Sequence, residues 1–483
     1  MDRLWRLLLA GAAAVVLVAT LVRVPIFWSN EAYHDLASGV WFGLADDLTH
    51  GVFYRPVVSP EGFGGTRYFP VQIVLHGGLT VLLGGHILAA ARVLTALAMI
   101  GLLSAVVTLL RRLGATRLLA ASCAILILAA QPVQQALLSF RGDLLPAAFN
   151  IWGVALCAAP VLGPGAAVAA GALFALAFGT KLTTVFGAAA AVAFLWFSGR
   201  RRPAMLVLGA TATGIVILSV CTLAASHGRV VDAWWAAAST GSGIRQLLLA
   251  PFAFARAVRK VPETLAFIQL GIAALLALTV RRRTRIDLSS WLFLATLAVT
   301  AVIFAAEGTD TNHLVDLQVA SLLVVGVWIA SASDDAKAFG HAVLVVAGLA
   351  ASMSLVSGII NRNTEDQRGT ARDVAALVGD TSKPILAENA LISVAAGQRA
   401  YMLDPYMFTL LRQGNPTMTD AFFRDLDTQR FSAVVLDRDP HTDRGRVTYG
   451  TTLFGEGFVE RMEQNYVEAG RVKNRVIYKP KLP

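Results

Sequence analysis

Residues 30–70 read NEAYHDLASGVWFGLADDLTHGVFYRPVVSPEGFGGTRYFP and form the only long polar interruption in the first 110 residues of the sequence. One apolar run precedes this segment, and a long series of apolar runs follows it. The segment carries five carboxylates beside apolar residues: Glu31, Asp35, Asp46, Asp47 and Glu61. Ionisable groups at a membrane boundary are costly unless they are solvated, paired or functional. We therefore expect that membrane spans hold this polar loop in place and that the loop contains functional residues.

Composition supports the membrane interpretation. The 483 residues are 56% hydrophobic and 15% charged, with a mean hydropathy of +0.63. A soluble domain is about half apolar and about a quarter charged. We attribute the net charge of +10 to the basic residues that orient the protein in the membrane, because such residues collect at cytoplasmic loop ends. Nucleic-acid binding is not expected, and the three cysteines lie in apolar runs rather than in a disulfide or metal pattern.

Apolar runs of about 17–25 residues are long enough to cross a bilayer. The first predicted span covers residues 7–26, and Arg3 and Arg6 before it predict a cytoplasmic N-terminus. Ten more spans are predicted at 88–110, 118–138, 144–160, 164–179, 182–198, 204–225, 263–280, 288–306, 313–331 and 338–360. Residues 71–84 are too short to cross and are interpreted as a buried or re-entrant helix. The chain is thus predicted to be an α-helical protein of the cytoplasmic (inner) membrane with about eleven spans.

This threading places the loop at 27–70 outside. Within it, the spacing of apolar residues at 35–48 predicts an amphipathic helix on the membrane surface, with Asp46 and Asp47 on its solvated face. The Gly-rich EGFGGTRYFP is expected to be irregular. The chain is predicted to contain two domains, a membrane domain at 1–360 and a small extracytoplasmic α/β domain at 361–483.

Within that C-terminal domain an amphipathic helix is predicted in NRNTEDQRGTARDVAALVGD, and short strands are predicted in KPILAEN, RAYMLD, FSAVVLDRD and NRVIYKPKLP. The motifs LAEN at 386–389 and LDP at 403–405 have no assigned role. The domain is expected to bind an acceptor, to cap the site or only to stabilise the fold.

Polar groups gather at the predicted outer ends of the spans. The outer turns hold Glu31, Asp35, Arg141, Asp143, Lys181, Asp310, Asn312, His313 and Asp316. The long outer segment at 226–262 holds Arg245, Arg256, Arg259 and Lys260. Such groups are functional candidates in a membrane protein.

Several of these residues also have a purely structural explanation. Asp143 and Asn312 are suited to cap a helix. Lys181 is suited to reach the interface from an apolar helix, and His313 to be a hydrogen-bonded interface residue. The basic residues of the outer segment are suited to contact lipid headgroups. Both explanations remain open at this point.

Five short motifs carry a resemblance to a known family: NEAY at 30–33, GTRYFP at 65–70, RGD at 141–143, TKLT at 180–183 and TNHL at 311–314. Their order and sidedness resemble the GT-C superfamily of membrane glycosyltransferases. The most similar branch contains protein O-mannosyltransferases and lipid A aminoarabinose transferases. The resemblance covers about residues 1–360, and Asn30 departs from it by replacing the first acid of the loop motif.

The resemblance implies transfer of a sugar from a polyprenyl phosphate to an acceptor hydroxyl on the outer face of the membrane. Either Asp35 or Glu31 is expected to be the catalytic base. Asp143 is expected to orient the acceptor, to hold a basic partner or to help bind a divalent ion. The residues expected to bind substrate are Arg141, Lys181, Arg245, Arg256, Asn312, His313 and Tyr68. The acceptor is left open as a glycan, a lipid or a protein.

Three alternatives remain. A lipid or polysaccharide-precursor flippase would carry charges near mid-span, whereas these charges gather at one face. An O-antigen-type polymerase or ligase would use a lipid-linked oligosaccharide, and a membrane scaffold would have no catalytic acid. The sequence shows no nucleotide-phosphate loop, no dinucleotide fingerprint and no H-E-x-x-H metal motif. No cofactor is therefore required, and a divalent cation remains open.

Overall fold

The computed structural model describes residues 2–30, 34–239, 243–282, 286–306, 308–360 and 370–481. The helices of its N-terminal three quarters are α1 (Asp2–Asn30), α2 (Leu36–Thr49), α3 (Pro70–Leu82), α4 (Ile87–Arg112), α5 (Arg117–Leu126), α6 (Gln131–Ser139), α7 (Leu144–Cys157), α8 (Pro164–Thr180), α9 (Phe186–Phe197), α10 (Arg201–Ala225), α11 (Arg229–Ser239), α12 (Ile244–Arg259), α13 (Pro262–Arg282), α14 (Leu288–Ile303), α15 (Val315–Ser331) and α16 (Asp334–Ile360). A mostly helical membrane fold is therefore confirmed.

The number of membrane spans is only partly settled by helix length. Within the described residues, six helices are long and apolar enough to cross a membrane, and α5 and α6 make a seventh if this pair, bent by 71°, is one span. Four more predicted spans coincide with the shorter apolar helices α7, α8, α9 and α14. Eleven spans therefore stays a prediction. Helix α3 is short, as expected, and exposes Val81 and Leu82.

Helix α15 lies at the centre of the bundle. Fourteen of its 17 residues are buried, and most of them are Val, Leu, Ile and Ala. A helix that is apolar all round belongs in the interior of a bundle. Helices α13, α14 and α16 pack around it, and α1 lies against α16. The short turn of 3₁₀ helix at Thr311–Leu314 begins this central element, so residues there are held by the whole core.

The C-terminal part of the chain forms a four-stranded sheet with the order β3 (Ile385–Ala387), β4 (Ala433–Leu436), β6 (Arg475–Pro480), β5 (Tyr466–Val472). The first pair is parallel and the other two are antiparallel. The helices α17 (Ala371–Val378), α18 (Ala390–Ala395), α19 (Pro405–Gly414), α20 (Asp420–Asp427), α21 (Asp443–Val447) and α22 (Phe458–Asn465) accompany the sheet.

Strands were expected in KPILAEN, FSAVVLDRD and NRVIYKPKLP, and the structure has them as β3, β4 and β6. The expectation for RAYMLD was wrong, because Met402 makes only an isolated bridge to Phe63. Strand β5 was missed, since its alternating polar residues give an exposed edge strand little apolar signal. The predicted helix before residue 380 is described only as α17, and residues 361–369 lie outside the described residues. The domain boundary and the outer location remain predictions.

Helix α2 does not lie on the membrane surface as expected. Nine of its 14 residues are buried, among them Val40, Trp41, Phe42 and Leu44. It is packed between α3 and the C-terminal helix α18. The apolar spacing that predicts a helix is therefore real, but protein rather than lipid covers its apolar side.

The Gly-rich segment of the loop is also more regular than expected. A short hairpin pairs β1 (Val58–Ser59) with β2 (Gly62–Phe63). Phe63 N donates to Tyr401 O at 2.8 Å, and Leu403 N donates to Phe63 O at 2.9 Å. Gly62 has φ +133°, and a Cβ there would collide with Tyr401 O, so glycine is required for this close approach. The hairpin thus joins the outer loop to the C-terminal core.

Asp47 was expected on a solvated helix face, and this expectation was wrong. Its side chain is 3% exposed and lies 2.7 Å from Arg55 Nε and 3.1 Å from Arg399 Nε. Burial raises the pKa of Asp47, and the two guanidinium groups oppose that rise. Arg55 also donates to Ala400 O at 2.7 Å. This buried ion cluster fastens the C-terminal end of α2 to the region beyond residue 370.

Replacing Asp47 by alanine is expected to destabilise the protein by about 3–5 kcal/mol, because it leaves the buried Arg55 guanidinium without its carboxylate. For a chain of this length we expect a fall of about 3–5 °C in the midpoint of thermal unfolding in detergent. Asp46→Ala is the matched control, since Asp46 is the neighbouring acid and is more exposed. Equal midpoints for the two variants would contradict a stabilising role of the cluster.

Candidate active site

Asp35 and Arg141 form an ion pair at the end of the bundle that the predicted topology places outside the membrane. The Arg141 Nη2 group donates to Asp35 Oδ2. Asp35 is the N-cap of α2, and its Oδ1 accepts from Ser38 N at 3.1 Å and from Ser38 Oγ at 3.0 Å. One carboxylate oxygen therefore fixes the helix, and the other faces the guanidinium.

A second carboxylate lies deeper. Lys181 Nζ donates to Asp143 Oδ1 at 2.6 Å, and Asn312 Nδ2 donates to the same oxygen at 3.1 Å. The three residues come from the turn before α7, the end of α8 and the start of the central element. This arrangement answers part of the question left open by the sequence: Asp143 makes no side-chain cap on α7, and it holds a lysine instead.

The charge of Asp143 follows from this contact. Its side chain is 6% exposed, and burial alone would raise its pKa. The charge and hydrogen bond of Lys181, together with His313 and Arg141, outweigh burial, so the pKa of Asp143 is lowered. Asp143 is therefore ionised at neutral pH and keeps Lys181 in a fixed position.

Tyr68 and Arg67 border the Asp35 pair. Burial raises the pKa of Tyr68 to about 12, and the charges of Arg67, Asp404, Arg141 and Asp35 also act on it. The Tyr68 ring packs on Trp41 with 4.3 Å between centroids. The hydroxyl is thus a neutral hydrogen-bonding group at neutral pH.

Arg67 is a residue that the sequence reasoning missed. Its Nε lies 3.7 Å from Asp404 Oδ2, and its guanidinium stacks 4.4 Å from the centroid of the Tyr406 ring. Its side chain is 34% exposed, so it is accessible as well as paired. The residue lies in the GTRYFP motif next to Tyr68, and this position is the only sequence signal that pointed to it.

His313 follows Asn312 and is half-buried. The charges of Lys181, Asp143, Arg67 and Arg141 all act on it, which places it within the same cluster. Seven predicted site residues therefore converge: Asp35, Tyr68, Arg141, Asp143, Lys181, Asn312 and His313.

Three predicted residues are not part of this cluster as described. Arg245 and Arg256 are exposed on α12, and none of the described ion pairs joins either of them to Asp35 or Asp143. Helix α12 does approach the turn at Thr311–Leu314, so a role for these arginines stays a prediction. Glu31 lies outside the described residues. The choice between Glu31 and Asp35 as base is therefore carried into the proposal.

Metal binding was left open by the sequence. Among the residues that the structure describes, no group of three or more His, Cys, Asp or Glu side chains is placed to hold a metal ion.

No protein-family model and no curated protein sequence matches this chain. Solved structures do match its fold. ArnT from Cupriavidus metallidurans bound to undecaprenyl phosphate superposes with a TM-score of 0.57 at 13% identity, over 96% of this chain and 97% of that chain. The oligosaccharyltransferase of Archaeoglobus fulgidus in the apo form has a TM-score of 0.59 at 13% identity, over 99% and 74%.

A third similar structure is the arabinofuranosyltransferase AftD from Mycobacteria. Its TM-score is 0.52 at 15% identity, and the match covers 98% of this chain but 40% of AftD. All three structures have the GT-C fold. The chain therefore has the GT-C fold, and the resemblance stated from the motifs is confirmed at the level of fold.

Proposed function

We propose that the protein is a membrane glycosyltransferase that moves a sugar from a polyprenyl phosphate to an acceptor hydroxyl. The observation that carries this proposal is the convergence of two carboxylates with their cations, Asp35 with Arg141 and Asp143 with Lys181. These groups come from three separate segments, the residue before α2, the turn before α7 and the end of α8, so the fold itself assembles them. Sugar transfer from a phosphate carrier needs both kinds of group.

The acid is needed because the acceptor hydroxyl must lose its proton. As its oxygen bonds to the anomeric carbon, the bond from that carbon to the phosphate oxygen breaks, and the proton passes to a carboxylate. Asp35 is the proposed base among the described residues, because only its Oδ1 is used by the cap and its Oδ2 lies against the Arg141 guanidinium, within the group of cations and carboxylates. Glu31 remains the alternative base in the same loop.

The cations are needed because the leaving polyprenyl phosphate gains a negative charge when the sugar departs. Positive groups in a site with little water stabilise such a charge strongly. Lys181 has three N–H donors, and its described bond to Asp143 uses one of them. The charges of Arg67 and Arg141, like that of Lys181, act on His313, so the three cations belong to one cluster. We propose that these three residues bind the phosphate and that Tyr68, Asn312 and His313 orient the substrates.

We further propose that the site faces the outer side of the cytoplasmic membrane. Arg111 and Arg112 end α4, and Arg200 precedes α10. The Asp35 and Asp143 pairs lie at the opposite end of the helix bundle from these basic residues. Such a distribution matches the rule that basic residues remain in the cytoplasm. The prenyl chain would then lie between spans, with its phosphate at Lys181, Arg67 and Arg141.

Release of the carrier tests this proposal without knowledge of the acceptor. Purified protein in lipid nanodiscs is incubated with undecaprenyl-phosphate-linked mannose, glucose and arabinose, with and without a membrane extract as the acceptor source. Mass spectrometry then measures undecaprenyl phosphate, which is the common product. We expect release from one of the donors above a protein-free control. No release from any donor, together with movement of the intact donors between leaflets, would favour the flippase.

A further inference from the structure

The side chain of Asn389 joins the C-terminal region directly to the loop that carries Asp35. Its Nδ2 donates to His34 O at 2.9 Å and to Asp35 O at 3.1 Å. Asn389 is fully buried. This single amide group, 354 residues further along the chain than Asp35, therefore binds the backbone carbonyls on both sides of the Asp35 Cα atom.

Asn389 is itself held rigidly. Its Oδ1 accepts from Leu391 N at 3.0 Å, so the same side chain caps α18. The preceding residue, Glu388, donates its N–H to Val435 O at 3.0 Å and so extends the pairing of β3 with β4. Both ends of the amide are thus fixed, Oδ1 by the first turn of α18 and Nδ2 by the loop that carries Asp35.

Arg475 provides a second contact to the same stretch. It is fully buried, its Nε donates to Asp437 Oδ1 at 2.8 Å, and its Nη2 lies 3.4 Å from His34 O. Two side chains of the C-terminal region therefore make three hydrogen bonds to the carbonyls of two consecutive residues. These contacts fix the backbone on both sides of the Asp35 side chain.

The backbone of α2 also approaches this region as closely as atoms allow. A Cβ at Gly39 would collide with Asn389 Oδ1, and a Cβ at Gly43 would lie 2.6 Å from Leu403 Cδ1. Gly39 N in turn donates to Asp35 O at 3.0 Å, so this carbonyl accepts from the helix and from Asn389 together. Any shift of Asn389 is transmitted to the first turn of α2.

We propose that Asn389 is the positioning residue that sets where the Asp35 carboxylate stands against Arg141. This inference rests on the proposed function, in which Asp35 takes the acceptor proton, and it makes the C-terminal region the outer half of the active site rather than a separate acceptor module. A catalytic group that moves by 1 Å can lose about 10²-fold in rate. Asn389 touches no substrate, and it acts through Asp35.

The test compares Asn389→Asp with wild type in the full chain in nanodiscs. Aspartate retains the acceptor for Leu391 N, so α18 keeps its cap, but the donor to the two carbonyls is replaced by a carboxylate oxygen. We expect kcat to fall about 10- to 100-fold with KM for the donor changed less than about threefold, since binding groups are untouched. Gly39→Ala, whose added methyl group pushes α2 away from Asn389, is expected to give the same result: a lower kcat with little change in KM for the donor.

Gln398→Ala is the matched control. Its amide also bridges backbone groups of the C-terminal region, Ile385 N, Thr381 O and Lys383 O, but it does not touch α2. We expect wild-type kcat from this variant. Wild-type kcat in Asn389→Asp, or an equal loss in Gln398→Ala, would overturn the positioning role.

Hydrogen exchange separates this inference from the proposed function. Asn389→Asp is expected to speed exchange of the Ser38 and Gly39 amides, whose bonds go to Asp35, while Gln398→Ala is not. If the wild-type protein releases no carrier but the exchange changes as stated, the proposed function fails and the structural coupling stands. If exchange at these two amides is unchanged in Asn389→Asp, the coupling itself is wrong.

Discussion

Asp35→Asn is expected to lower kcat about 10²- to 10⁴-fold, because an amide cannot take the proton of the acceptor hydroxyl. Asparagine is as good an N-cap as aspartate, so the contacts to Ser38 and the start of α2 should survive. KM for the donor should change little. The measurement is initial-rate transfer in nanodiscs at a saturating donor concentration, with thermal unfolding to confirm that the variant is folded.

Two companion variants make this result specific. Asp46→Asn changes an acid at the far end of the same helix and is expected to retain wild-type kcat. Glu31→Gln decides between the two acids of the loop. If Glu31→Gln loses transfer and Asp35→Asn keeps it, Glu31 is the base, and Asp35 only caps α2 and holds Arg141.

Lys181→Met is expected to lower kcat about 10²- to 10³-fold, because the leaving phosphate loses a positive partner in a site with little water. It should also weaken binding of undecaprenyl phosphate, measured by its effect on the thermal midpoint, since charge-assisted bonds are the strong ones. Methionine keeps an unbranched side chain at this position. Lys337→Met is the remote control, since Lys337 follows the far end of α15, about 25 Å from the site.

The double variant Lys181→Met with Asp143→Asn separates catalysis from folding. A lost lysine leaves the buried Asp143 carboxylate without its main partner, and that alone destabilises a protein. Removing the carboxylate as well should restore the thermal midpoint but not the transfer rate. Recovery of transfer in the double variant would show that Lys181 serves only to neutralise Asp143.

The parts of the fold that the sequence predicted are those that depend on local pattern. The expected span at 204–225 is found as Arg201–Ala225, and the expected span at 313–331 as Val315–Ser331, because an apolar run of membrane length has few other conformations. Asp143, Lys181 and Asn312 were placed together for a related reason. Each lies at the same end of a predicted span, and helices that pack side by side bring such ends together.

The parts that the sequence did not predict depend on contacts between distant segments. Asp47 has the local pattern of a solvated acid, and only the approach of Arg399 makes it a buried one. Asn389 lies in a strand-to-helix turn with no catalytic signature, and its role follows from a contact to Asp35 across 354 residues. Arg67 belongs to the site through Asp404 and Tyr406, which lie more than 300 residues further along the chain. Such assignments need the tertiary pairing of the outer loop with the C-terminal region.

The most direct test of the proposed function compares wild-type protein with Asp35→Asn. Both are assayed for transfer of radiolabelled sugar from the undecaprenyl-phosphate-linked donor that releases its carrier in the experiment proposed above. Binding of undecaprenyl phosphate by the two proteins is measured in parallel, because Asp35→Asn removes the carboxylate partner of Arg141, and the rates are then compared at saturating donor so that they report the chemical step. We expect labelled acceptor with wild type and a loss of at least about 10²-fold in the variant. Equal transfer by the two proteins would contradict a catalytic carboxylate at position 35.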